Sequence, residues 1–332
     1  MNLDNFNQLI NTSTKILIVQ ADNPDGDSLA SSLALESFFA NLGKEPIMFC
    51  AVDIPTYLRH ISGWDRVVHE LPHGFDLCIL VDTGALSLLE TLQKTGDIKW
   101  LKTKPLIILD HHNTKSDIDF ANEIINQPLS STGELIHKIA TKNNWEIDSS
   151  VANYLAVSII FDTLGLSSES VTANTLTAMA DLVKNGANLS EIDNNRRQSN
   201  KKTIELVRYK ADLLKRVDVS ADKRVATVDI PWSEIQKYSH DYNPSMLVLD
   251  EMRMITDVYV AIAFKTYPDG KVTAKIRTNY GCKIAGELAE AFGGGGHVYA
   301  SGFKQQKVNN FNQLKLECIK KATELLDNHE TL

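Results

Sequence analysis

The chain has 332 residues, 43% of them hydrophobic and 23% charged, and a formal charge of −8. That length exceeds what one ordinary core absorbs, so two domains are expected. No apolar run nears the ~20 residues of a membrane span, and the acidic balance argues against a general basic surface that coats long nucleic acid.

In chain order, Ile16-Leu-Ile-Val19, Pro46-Ile-Met-Phe-Cys-Ala-Val52, Leu77-Cys-Ile-Leu-Val81 and Leu106-Ile-Ile-Leu109 read as strands. They are short, continuous and rich in branched residues, which suits strands buried on both faces of a parallel sheet. Residues 28–42 have helical spacing, so the N-terminal part, 1–185, is expected to be a parallel-sheet α/β domain. Helical periodicity continues over 131–142, 149–161 and 172–184. The polar stretch Asn194-Asn-Arg-Arg-Gln-Ser-Asn-Lys-Lys202 then lies in a helix expected to reach about residue 214. Few of its side chains could feed a core, which puts a helical linker over 186–218. Arg196, Arg197, Lys201 and Lys202 read as a solvated face, with a nucleic-acid contact as the other reading. The last part, 219–332, has strand-like runs over 224–230, 257–264 and 271–277 and the hairpin signal Tyr267-Pro-Asp-Gly270, the pattern of a smaller α+β domain. The four cysteines, Cys50, Cys78, Cys282 and Cys318, are too scattered for a zinc knuckle or a disulfide framework. An N-terminus without a basic flank or an apolar stretch leads to the expectation of a cytoplasmic protein with no membrane partner.

The chemistry gathers at strand ends. Asp25 and Asp27 follow the first strand, Asp82 ends the third, and Asp110-His111-His112 ends the fourth. Open parallel sheets bind ligands outside the carboxyl ends of their strands, so these residues should converge. Each alone has a plainer reading: Asp25 or Asp27 as a helix cap, Asp82-Thr-Gly84 as a turn. If Asp162 joins them, four carboxylates within ~5 Å would repel by roughly 3 kcal/mol per pair at an effective dielectric of ~20. Two divalent ions would balance them, polarise a phosphoryl oxygen and lower the pKa of a water. Oxygen ligands with one or two imidazoles suit Mn²⁺.

These motifs resemble those of the DHH phosphoesterase superfamily: Asn23-Pro-Asp-Gly-Asp27 the first, Val81-Asp-Thr-Gly84 the second, Leu109-Asp-His-His112 the third and Phe161-Asp-Thr163 the fourth. Arg277-Thr-Asn279 and Phe292-Gly-Gly-Gly-Gly-His-Val-Tyr-Ala-Ser-Gly-Phe303 resemble the DHH-associated domain that follows in one subfamily. Size and domain content are similar to the bacterial oligoribonuclease and pAp-phosphatase branch. The resemblance implies a two-metal phosphodiesterase acting on short oligoribonucleotides or dinucleotides such as pApA, on cyclic di-AMP and on pAp, releasing nucleoside 5′-monophosphates. It further implies one ion held by Asp25 and Asp82 and another by Asp27, Asp82, His111 and Asp162, with His112 facing the scissile phosphate and Asp110 orienting the histidines. Long duplex nucleic acid is not an expected partner, and a homodimer would match many relatives.

Ala21 stands where that family usually has a histidine ligand. Two readings follow: a working site with one weakened ion position, filled by water or by Asp22, or a nucleotide-binding sensor without turnover. The lost ligand is neutral, so the charge balance survives and weakened but retained catalysis is favoured.

In the last third, alternation puts Thr273, Lys275 and Arg277 on one strand face. The run Gly293-Gly-Gly-Gly296 is either a flexible loop or a place where backbone N–H groups approach a ligand, and His297 follows it. With the resemblance, Arg277, Gly294, Gly295, Gly296 and His297 are expected to bind substrate. Ser131 or Thr132 caps the helix that starts there, and a phosphate contact by them is the companion expectation.

Overall fold

The computed structural model describes residues 1–240 and 242–328. The chain divides into two compact units, Met1–Lys201 and Lys202–Leu332.

In the first unit β1 (Lys15–Val19), β2 (Glu45–Phe49), β3 (Leu77–Val81), β4 (Leu106–Asp110) and β5 (Glu123–Asn126) form one sheet of order β2-β1-β3-β4-β5, parallel throughout. The pleat sends alternate residues to opposite faces. Ile16 and Ile18 of β1 thus enter one core, while Leu17 and Val19 enter the other. Both faces are buried, which is why these strands carry unbroken apolar runs. The helices are α1 (Asp4–Thr12), α2 (Gly26–Asn41), α3 (Glu90–Thr95), α4 (Ile98–Leu101), α5 (Thr132–Asn143), α6 (Ser149–Asp162), α7 (Ala173–Lys184) and α8 (Leu189–Ser199). Helices α2 and α6 pack on each other, burying Leu29, Leu33, Phe38 and Phe39 from one and Val151, Leu155 and Ile159 from the other. Each such side chain contributes about 1.5–3 kcal/mol. Strand β5 carries no expectation from sequence; it is a short edge strand with Ile124 exposed, so its pattern lacks the apolar run of its neighbours.

The second unit runs α9 (Ile204–Lys215), β6 (Asp218–Val219), β7 (Val225–Ile230), α10 (Trp232–Tyr238), α11 (Leu249–Arg253), β8 (Val260–Thr266), β9 (Val272–Thr278), α12 (Ala285–Glu290), β10 (Gly295–His297), β11 (Ala300–Gln305) and α13 (Phe311–Asn328). Its sheet has the order β10-β11-β9-β8-β7-β6, with β7 and β8 parallel and the other pairs antiparallel.

The single helix expected through 194–214 is two helices. The chain leaves helical geometry after α8, and Thr203 restarts it by accepting the Leu206 N–H. Both helices feed cores: Ile192 lies in the first unit's, and Leu206, Tyr209 and Leu213 lie in the second's. The expectation that little of 186–218 packs is therefore corrected. The four cysteines are buried and unpaired, and among the described residues no helix is long and apolar enough to cross a membrane.

Candidate functional site

The order β2-β1-β3-β4-β5 puts its reversal between β1 and β3, where open sheets place their binding crevice. The register aligns Val19 with Leu80 and Val81 with Leu109, so the three strands end side by side. Asp25 and Asp27 follow β1, Asp82 follows β3, and Asp110, His111 and His112 close β4. Asp162 is the last residue of α6 and arrives from the helical layer.

Asp27 is fully buried and its charge is surrounded by donors. Its Oδ1 accepts the hydroxyls of Ser158 (2.5 Å) and Ser31 (3.0 Å) and the Gly133 N–H (3.3 Å), and its Oδ2 accepts the Thr132 N–H (2.8 Å). Two of those donors are the opening amides of α5, whose dipole favours a carboxylate. Asp82 has a positive φ of 61°. That left-handed conformation is one that aspartate tolerates better than most residues, and it ends β3. Asp82 Oδ1 accepts the Thr132 hydroxyl at 3.0 Å.

His111 Nδ1 lies 3.1 Å from the Leu129 carbonyl. A carbonyl only accepts, so Nδ1 donates and Nε2 faces the acids: 3.0 Å from Asp162 Oδ2, 3.5 Å from Asp82 Oδ1 and 3.7 Å from Asp27 Oδ2. Although it sits 3.0 Å from an Asp162 oxygen, Nε2 makes no aligned hydrogen bond and is buried. A lone pair aimed at three carboxylates is repulsive unless a proton or a cation lies between them. Burial lowers the imidazole pKa, yet Asp162 and Asp82 more than reverse this and lift it to about 11. The donor set fits a divalent metal. Ligand atoms of Asp27, His111 and Asp162 lie within 4.8 Å of one another, as do those of Asp82, His111 and His112.

Like charge marks the cluster as well. Asp27 is raised well above the usual carboxylate range by burial, then by Asp82 and Asp162. Asp25 keeps surface open to solvent, yet lost hydration and the charge of Asp82 raise its pKa to about 6. Asp25 also caps α2: its Oδ1 accepts the Ser28 N–H, and its own N–H donates to Ser28 Oγ. Cap and cluster member are therefore both true of Asp25, although it belongs to neither three-residue group. Asp110 accepts His112 Nδ1 at 2.7 Å and the backbone amides of His111 and His112. Burial works against it, but the His112 bond holds Asp110 below the ordinary carboxylate range, and the same bond raises His112.

Several expectations change. The hydroxyls of Ser131 and Thr132 are wholly buried. Ser131 accepts the Glu134 N–H and Thr132 supports Asp27 and Asp82, so neither side chain is open to a phosphate. Ala21 is buried, its carbonyl accepting Cys50 Sγ–H. Asp22 accepts the Thr91 N–H at 2.6 Å through Oδ2, its Oδ1 is buried without a hydrogen bond, and it stands outside both groups. Arg196 and Arg197 both pair with Asp193 on an exposed helix face. Ser158 and Ser31 escaped sequence reasoning; the available signal for Ser158 was one polar residue inside Val157-Ser-Ile-Ile160.

The second unit holds a groove of about 800 Å³ lined by Lys265, Lys275, Arg277, His297 and Gly293 to Gly296, with no carboxylate on its wall among the described residues. The glycine run is no loose loop: Gly295 to His297 pair with β11. A Cβ on Gly294 would lie 2.2 Å from the Gly302 carbonyl, and one on Gly296, at φ 141°, 2.7 Å from Ala300 O. These two glycines are therefore required by sheet packing, whereas a Cβ on Gly295 would meet open space. Lost hydration and Lys275 lower the Lys265 pKa to about 8. Lys275 and Arg277 are lowered by lost hydration and by neighbouring cations. Sequence alternation found Lys275 and Arg277; Lys265 lies one residue beyond the strand-like run over 257–264.

An open parallel sheet with acids and imidazoles at its switch point, followed by a second mixed-sheet unit, defines a two-unit α/β protein with a metal-fitting centre. Residues 15–159 match the DHH family, N-terminal domain. The chain is 24% identical over 291 residues to the bifunctional oligoribonuclease and PAP phosphatase NrnA of Thermus thermophilus, covering 86% of this chain and 83% of that protein. It is 25% identical over 245 residues to the A-adding tRNA nucleotidyltransferase of Aquifex aeolicus, 74% of this chain but 27% of that protein's length. An exopolyphosphatase-related protein from Bacteroides fragilis shares the fold, with a TM-score of 0.84 and 21% identity over 98% of this chain and 96% of that one.

Proposed function

We propose that the chain is a cytoplasmic, two-metal phosphodiesterase that hydrolyses short oligoribonucleotides or dinucleotides, pApA and cyclic di-AMP among them, to nucleoside 5′-monophosphates, and that it also dephosphorylates pAp. The observation that carries this reading is the buried His111 Nε2 turned toward Asp27, Asp82 and Asp162 with no hydrogen bond of its own. Asp27, Asp82, His111 and Asp162 would hold one ion, and Asp25 with Asp82 the other. The oxygen-rich set suits Mn²⁺. When bound, such ions polarise a phosphoryl oxygen and make a water acidic enough to attack.

The chain's own residues do the rest. Asp27 is held still by four donors, so its ligand oxygen keeps its aim. Asp110 fixes the His112 ring through Nδ1, leaving Nε2 of this half-exposed imidazole to donate to a phosphoryl oxygen as charge develops. Arg277, Lys275, Lys265, Gly295 and His297 supply cations and open backbone suited to the anionic remainder of a nucleotide. A net charge of −8 and a groove of this size favour small nucleotides over long duplexes. A homodimer is the proposed assembly.

A nucleotide sensor without turnover is the second reading, favoured by Ala21 and by an Asp25 that joins no three-ligand group. One experiment separates them: metal-stripped protein reloaded with Mn²⁺ is given pAp, pApA, cyclic di-AMP and longer oligoadenylates, with products resolved by chromatography. Release of AMP in a single turnover is the expected result. Tight binding of pAp or pApA without release would favour the sensor, and neither binding nor release would sink both.

A further inference from the structure

Tyr280 is 81% exposed, which leaves its ring open to a ligand. Its ring lies 13° from parallel with that of Tyr299, centroid to centroid 6.4 Å. Elsewhere in the same unit Tyr209 and Tyr238 meet at the same 13° but at 3.9 Å, which is direct face contact. A flat base lying between two rings needs about 6.8 Å, twice the 3.4 Å rise of stacked bases. A small turn of the exposed Tyr280 supplies the difference.

The backbone that carries the two rings is anchored. Tyr299 lies in the two-residue turn between β10 and β11, and its carbonyl accepts the Thr278 N–H at 3.0 Å. Asn279, next to Tyr280, donates its side-chain amide to the carbonyls of Arg253 and Val258. A cation borders the pair: Lys283 Nζ lies 5.9 Å from the Tyr299 ring. Parallel aromatic faces beside cations are the recognition chemistry of a nucleobase carrying phosphate.

We propose that Tyr280 and Tyr299 form a stacking site for one nucleobase of the dinucleotide, with purines preferred for their larger face. This rests on the nucleotide-substrate reading above and adds the residues that choose among nucleotides. Stacking tolerates any base, so the site sets a preference for base-bearing ends and no strict sequence.

The test is binding by the full chain in chelator, where no turnover occurs, with pApA and its two mono-abasic analogues as probes. Tyr280→Ala should weaken pApA binding by about 5- to 100-fold, and Tyr280→Phe should stay close to wild type. For the analogue lacking the stacked base, wild type and Tyr280→Ala should bind alike. Unchanged pApA affinity in Tyr280→Ala, or equal weakening for pApA and both analogues, would overturn the proposal. Hydrolysis is read separately: a chain that binds pApA through Tyr280 but releases no AMP with Mn²⁺ keeps the stacking site and loses the phosphodiesterase.

Discussion

The two units each collect like charges, of opposite sign. In the first, Asp27, Asp82 and Asp162 crowd around one imidazole with Asp25 near them, and the pKa values of Asp25 and Asp27 rise. In the second, Lys265, Lys275 and Arg277 line a groove with no acid among the described residues of its wall, and their pKa values fall. Folding tolerates each because secondary structure holds the side chains in place: strand ends and the α5 amides in one, two neighbouring strands in the other. The comparison teaches that stored repulsion has a sign, and that the sign suits a ligand of opposite charge, cations in one unit and anions in the other.

The largest effect should come from the shared acid. Asp82→Asn is expected to lower Mn²⁺ affinity and hydrolysis by more than about 100-fold, beyond the loss typical of a merely supporting partner. Affinity within tenfold of wild type would break the cation half of the comparison. Next is Ser158→Ala, which takes a donor from Asp27 and an acceptor from the Gly133 N–H. Denaturant unfolding should report a loss of about 1–3 kcal/mol, and metal titration a loss of about 10–100-fold. Restoring the family's histidine with Ala21→His should tighten Mn²⁺ by about tenfold; unchanged affinity would mean that position 21 is not a ligand position here.

The smallest effect sharpens the anion half. Lys265 is protonated below about pH 8 and neutral above it. Binding of pAp should therefore be full below that pH and weaken by about fivefold as the pH rises through it, a modest change for a half-exposed charge. Lys265→Met should bind as wild type does at high pH and lose this dependence. A pAp affinity flat from pH 7 to 9 in wild type would remove Lys265 from the groove's function.

Much of this was legible in the sequence because it is local. Apolar strands announced the sheet, and the acids and histidines follow those strands within a few residues, so a parallel sheet had to gather them. What escaped reading is made between distant segments. Ser158 meets Asp27 only because α2 and α6 pack, and Ser31, one turn along α2 from Asp27, is a serine inside a helix, which carries no mark of the carboxylate it will serve. Ser131 and Thr132 sit at a helix start, where a cap and a phosphate contact look alike; burial decides between them. The break between α8 and α9 was hidden because polar helical composition runs through it, and β5 because an exposed edge strand needs no apolar run.

The most direct measurement is calorimetric titration of Mn²⁺ into metal-stripped protein, repeated in buffers of different ionisation heat. Two ions per chain are expected, the second weaker because Asp25 stands apart from both three-ligand groups, with proton release as His111 exchanges its proton for metal. An absence of saturable uptake, or uptake that survives intact in Asp82→Asn, would contradict this expectation.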